Sequence, residues 1–101
     1  MYIVDTLYSG LKNENKEIKY YFRMTKEDLN LGHAFGIEIE RQDLIEGKVV
    51  QIERDLINRI SNKEEKVKQL LDLLYSHQVS PIHLVDILGE YVDSYVYDFD
   101  F

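Results

Sequence analysis

Ile18-Lys19-Tyr20-Tyr21-Phe22-Arg23-Met24-Thr25 is the stretch whose reading decides the fold. Ile18, Tyr20, Phe22 and Met24 alternate with Lys19, Tyr21, Arg23 and Thr25. An apolar period of two is the mark of a strand with one buried face. The same rhythm returns at Phe35, Ile37 and Ile39, set against Gly36, Glu38 and Glu40. It returns again at Val50, Ile52 and Leu56, set against Gln51, Glu53 and Asp55. Upstream, Ile3 to Tyr8 mixes β-branched and aromatic residues and reads as a first strand. Residues 1–57 therefore form a β-rich part of four strands.

The connections are read from their polar, glycine and asparagine residues. Ser9 to Lys16 is polar and contains Gly10 and two asparagines, so a loop is expected there. Thr25 can cap a short helical turn over Lys26 to Leu29, ahead of a break at Gly32-His33. Glu46-Gly47 marks a tight turn that makes a hairpin of strands three and four. With two turn residues, Glu40 falls opposite Glu53 and Glu38 opposite Asp55. A four-residue loop would still put Glu38 opposite Glu53, and both registers keep Ile37 and Ile39 on the same face as Ile52 and Leu56. Like charges placed opposite one another are unfavourable. Lys19 and Arg23 share their face by parity and can offset them.

After Ile60 the period changes to that of a helix. Ser61-Asn62-Lys63-Glu64 matches a capping box, in which the serine hydroxyl accepts an amide of the first turn and the glutamate reaches back. Val67, Leu70, Leu71 and Leu74 follow at helical spacing, giving a first helix over 61–78. Lys63, Lys66 and Lys68 stand in its N-terminal half, where the helix dipole disfavours cations. Tertiary contacts must therefore hold it. A second helix is expected over 80–96. Ser80 suits its N-cap, at a cost of about 1 kcal/mol if removed. Pro81 suits the first helical position, and Val79 can staple to Leu84. Leu84, Val85, Leu88, Tyr91, Val92 and Tyr95 form its apolar stripe. The predicted fold is one α+β domain over 1–101: a four-stranded, mainly antiparallel sheet with two C-terminal helices on one face.

Charge is uneven. The net charge is −7, from 12 Lys and Arg against 19 Asp and Glu. Residues 1–57 carry −3, residues 58–78 carry +1, and residues 79–101 carry −5 with no cation. Repulsion from phosphate argues against direct binding of nucleic acid or of an anionic membrane surface. No apolar run approaches the length of a membrane span. Met1 to Asp5 lacks the basic and apolar regions of a signal peptide. There is no cysteine, hence neither a disulfide framework nor thiolate chemistry. A cytoplasmic protein is expected.

No catalytic, nucleotide or metal motif emerges, and neither an enzyme nor a cofactor is expected. His33, His77 and His83 have no ligand spacing. Ser9, Ser61, Ser76, Ser80 and Ser94 lack a nucleophile elbow. The region that asks for another explanation is the C-terminus. Asp86, Glu90, Tyr91, Asp93, Tyr95, Tyr97, Phe99 and Phe101 are the candidate partner-binding residues. From Tyr97 to Phe101, aromatic and acidic residues alternate, which reads as an extended tail over 97–101. Its aromatics either fold back onto the core or stay exposed as an interface.

The first functional expectation is thus a small interaction or regulatory protein that binds a protein partner, of basic character, through its acidic helix and tail. The alternatives are an acidic inhibitor occupying the basic groove of a nucleic-acid-binding protein, and a small-molecule-binding protein or enzyme. The apolar surplus on the second helix leaves a homodimer open beside the slightly favoured monomer.

From about Ile18 to Asp100 the chain resembles a family of short bacterial proteins of unknown function. The resemblance rests on Gly36-Ile37-Glu38-Ile39-Glu40, on Ile60-Ser61, and on Val79-Ser80-Pro81-Ile82-His83-Leu84-Val85-Asp86. It implies no activity and no catalytic residue, and makes a small bacterial accessory protein the expected setting.

Overall fold

A computed structural model describes residues 1–99. Four strands come first: β1 (Tyr2–Asn13), β2 (Lys16–Leu29), β3 (Gly32–Ile45) and β4 (Lys48–Ser61). Two helices follow, α1 (Glu64–Ser76) and α2 (Leu84–Tyr95). The 3₁₀ turn Pro81–His83 leads into α2, and a second, Val96–Phe99, follows it. The strands form an antiparallel meander in the order β1-β2-β3-β4. The α+β class and the two C-terminal helices are as the sequence indicated.

The strands are longer than their apolar rhythm. Ser9 to Asn13 is strand, not loop, and only Glu14 and Asn15 turn the chain. Leu11 lies across from Ile18 and Lys12 from Glu17, two complementary cross-strand pairs. Lys26 to Leu29 also stays in β2, and no helical turn forms at Thr25. Thr25 is instead buried across from Gly36. At Gly36 a Cβ would collide with the Ile57 carbonyl, so the close pass of β4 requires glycine. The β3–β4 turn has positive φ at both Glu46 and Gly47, as a type I′ hairpin requires.

The expected like-charge opposition is removed by a bulge. Ile45 pairs with Lys48 as a two-residue turn dictates, but one extra residue at Val50 shifts the register beyond it. Glu40 then lies across from Arg54 and Glu38 across from Leu56. The shift also moves Ile57 opposite Ile37, so Ile52 and Leu56 do not share the face of Ile37 and Ile39. Ile52 is exposed as a result.

The core lies between the helices and one face of the sheet. Phe22, Met24, Phe35, Ile37 and Ile39 from the sheet meet Val67, Leu70, Leu71 and Leu74 from α1, and Leu84 and Leu88 from α2. α1 packs on β2 and β3, while α2 packs on β4. Strands of 14 residues reach about 45 Å, more than twice the length of either helix. Part of the helix-bearing face is therefore left bare, and the molecule measures 52 × 23 × 18 Å.

Both helix starts depart from expectation. α1 begins three residues after Ser61, and the capping box does not form. Ser61 is wholly buried; its Oγ accepts the Lys63 amide at 3.0 Å and donates to Asp98. Ser80 stands before the 3₁₀ turn with extended backbone, and its carbonyl accepts the His83 amide at 3.0 Å. Its hydroxyl caps nothing and lies 3.3 Å from the Tyr20 hydroxyl. Val79 and Leu84 both enter the core, as the staple predicts.

Candidate interaction surface

α2 exists because Leu84 and Leu88, one turn apart, both find the core. That contact fixes the direction of every other side chain on the helix. Asp86, Glu90 and Asp93, spaced i, i+4 and i+7, lie on one outward stripe and are exposed. None of the three is paired with a cation among the described residues. Tyr97, one turn beyond Asp93 and 80 % exposed, extends the stripe. Tyr91 is exposed beside it.

The remaining candidates separate from this group. Tyr95 packs against the core, with the Lys66 Nζ 4.6 Å above its ring and Tyr91 6.3 Å away between centroids. Phe99 is half-buried. The tail is not extended as far as it is described, because Val96–Phe99 winds as a 3₁₀ turn. Phe101, with Asp100, lies outside the described residues.

The tail is held by Asp98, which is not among the candidate partner-binding residues. Asp98 accepts Lys66 Nζ at 3.1 Å on both oxygens, lies 3.7 Å from Lys63 Nζ, and takes the Ser61 hydroxyl. The Ser61 hydrogen bond, against some desolvation, and then the lysines hold the Asp98 carboxyl below its ordinary pKa. This answers the misplaced lysines of α1: Lys63 and Lys66 are matched by Asp98, and Lys68 by Asp5 at 2.7 Å and Asp72 at 3.3 Å. The lysines were the signal that a carboxylate must arrive from elsewhere.

The sheet face away from the helices carries the other acidic cluster. Arg23 reaches Glu38 at 2.7 Å and Glu40 at 3.3 Å, while Arg54 reaches Glu40 at 2.7 Å. Gln42 adds a hydrogen bond to Glu40 at 2.6 Å. Burial disfavours the Glu40 carboxylate, but Gln42, Arg23 and Arg54 outweigh it, and its pKa lies below the ordinary value. Arg23 provides the offset expected from parity, whereas Lys19 takes no part. Both carboxylates already have partners, so this face is a closed ion-pair network.

Other chemistry is sparse. Among the described residues no three His, Cys, Asp or Glu side chains gather as a metal would need. His33, His77 and His83 are all exposed. A hollow of about 580 Å³ opens between β1 and α1, beside Val4, Asp5 and Lys68. Its lysine is taken up by Asp5 and Asp72. No described helix is long and apolar enough to cross a membrane.

Fold and surface together define a small α+β protein whose second helix turns outward acids that have no cation partner among the described residues. The chain belongs to the DUF6514 family, a family of unknown function, whose profile matches residues 1–94. The match takes in all four strands, α1 and α2 up to Ser94, and stops before the aromatic tail. No curated protein and no solved structure matches the chain.

Proposed function

We propose that this is a non-enzymatic interaction protein of the cytoplasm that binds a basic segment of a partner protein through the outer surface of α2. One observation carries the reading: Asp86, Glu90 and Asp93 stand exposed on one helical stripe without cations, beside exposed Tyr91 and Tyr97. Glu38 with Glu40, and Asp98 at the lysines, are by contrast matched within the chain. Unmatched charge next to exposed aromatic surface favours association with a cationic partner. The lack of cysteine suits a reducing compartment.

Charge density weighs against the nucleic-acid mimic. The stripe from Asp86 to Asp93 covers about 10 Å of helix and carries three charges. Duplex DNA carries about six over that length. The interleaved Tyr91 and Tyr97 also have no counterpart in a phosphate backbone.

Retention of proteins from a lysate of the source cell tests the reading. The intact chain is compared with Asp86→Asn/Glu90→Gln/Asp93→Asn and with Glu14→Gln/Glu17→Gln/Glu46→Gln, which removes the same number of carboxylates from the bare sheet end. A basic partner retained by the intact chain and by the sheet-end variant, and lost from the α2 variant, is the expected result. Equal retention by all three defeats it.

A further inference from the structure

The side of α2 that faces β4 is open, and the shape of that opening is informative. One cavity of about 440 Å³ touches Leu56, Ile57 and Asn58 of β4, and Val85, Gly89 and Val92 of α2. A second, of about 260 Å³, touches Glu53, Arg54 and Asp55 together with Pro81 and Ile82. Successive residues of a strand point to opposite faces of a sheet. A cavity that meets three in a row therefore lies along the strand's edge. Both cavities do so, and together they follow the edge from residue 53 to 58.

That edge is unpaired. β4 ends the sheet, and residues 51–58 make no backbone hydrogen bond to any described element other than β3. Bulges at Val50 and over residues 58–60 bound a regular stretch between them. Bulges of this kind block edge pairing where they occur, so the regular stretch is the part left available. Across the trench stands Gly89, in the middle of α2. A Cβ at Gly89 would meet nothing within 4 Å, so no contact inside the chain calls for glycine there. Glycine weakens a helix interior. Its effect here is to deepen the trench opposite Ile57.

We infer that the trench between the β4 edge and α2 receives an extended, basic segment of a partner protein, which adds to the sheet as a fifth strand. The inference rests on the partner-binding reading of α2 and specifies its mode. Backbone pairing would satisfy the free edge, and an apolar side chain would enter the notch at Gly89 between Val85 and Val92. Charge selects the occupant. Glu53, Asp55 and Asp93 line the two cavities, and Asp86 stands one turn before Gly89 on α2. The one lining cation, Arg54, is engaged by Glu40. A second copy of the chain would bring its own −5 segment to the same place, so a cationic strand is the occupant that complements the site.

The test is amide NMR of the ¹⁵N-labelled full chain, titrated with a capped peptide of four Lys-Val repeats. The expected result is shift changes along residues 53–58 and 85–93. N-methylation of alternate peptide amides, which keeps every side chain but removes donors, is expected to weaken binding at least tenfold. Gly89→Leu, which fills the notch and leaves every acid in place, is expected to do the same; Gly89→Ala gives a smaller loss. Equal binding of the methylated peptide, with shifts confined to Asp86, Glu90 and Asp93, overturns edge pairing and leaves the acidic-helix reading standing. No shifts up to about 1 mM peptide, a threshold near −4 kcal/mol, also overturns it. The lysate comparison then decides the broader reading separately.

Discussion

α1 and α2 are nearly equal in length, 13 and 12 residues, and each carries an apolar stripe, yet the fold uses them differently. α1 buries Val67, Leu70, Leu71 and Leu74 and meets each of its lysines with a carboxylate. α2 buries Leu84 and Leu88 but leaves Val85, 55 % exposed, and Tyr91 at the surface, with three unmatched acids. The difference teaches that the first helix completes the protein and the second is only half consumed by it. Apolar surface and charge that folding does not use are available to another molecule.

The strongest way to break this contrast is through the core. Leu71→Ala removes a wholly buried side chain and is expected to cost about 3 kcal/mol. Val85→Ala should change stability by less than about 0.5 kcal/mol. Urea denaturation of both variants measures the difference, and comparable losses would mean that α2 is as integral as α1.

The junction between the helices is tested next. Asp98→Asn removes the carboxylate that serves Ser61, Lys63 and Lys66, and a loss of about 1–2 kcal/mol near neutral pH is expected. The sign of its pH dependence follows from the lowered pKa of Asp98 in the folded state. On acidification the unfolded chain takes up this proton first. The contribution is therefore present above about pH 4, the ordinary carboxyl range, and is lost as pH falls through the folded value. The gap between wild type and variant should be full at pH 7 and close below about pH 4. A gap that stays constant down to pH 2 would assign the effect to packing instead.

A smaller effect, of opposite sign, sharpens the contrast. Gly89→Ala should raise stability by about 0.5–1 kcal/mol, since the added methyl meets nothing and alanine favours the helix. A destabilised variant would show that the trench is not open. Smallest of all, Ser80→Ala should cost less than about 0.5 kcal/mol, not the roughly 1 kcal/mol of a lost side-chain cap. Its hydroxyl makes a 3.3 Å contact with Tyr20 and no cap. A full cap penalty, read from the same denaturation curves, would place that hydroxyl on the helix after all.

Much of this was readable in the chain. The β-rich first part and the switch to helical spacing after Ile60 follow from local apolar periodicity, and the break before Pro81 from the proline and the serine before it. The four buried residues of α1 were all named by their spacing. The candidate surface was readable in part: Asp86, Glu90 and Asp93 are outward because Leu84 and Leu88 are inward. The trench was not, because Gly89 and the β4 edge meet only in space. Asp98 was hidden for the same reason, although the lysines of α1 showed that a counter-charge was owed.

By itself, then, the sequence determined the elements whose side-chain period repeats along the chain, and the accumulation of acid at its C-terminal end. Tertiary structure decided what depends on a partner far away in sequence. Polar positions from Ser9 to Asn13 became strand because β2 lay beside them. One extra residue at Val50 replaced a clash of carboxylates by the Glu40–Arg54 pair, since a single-residue shift in an antiparallel ladder changes every neighbour beyond it. The Ser80 hydroxyl left its expected cap for Tyr20, and the Ser61 hydroxyl donates to Asp98 while accepting the Lys63 amide, because a side-chain hydrogen bond goes to whichever group the packed chain brings within reach.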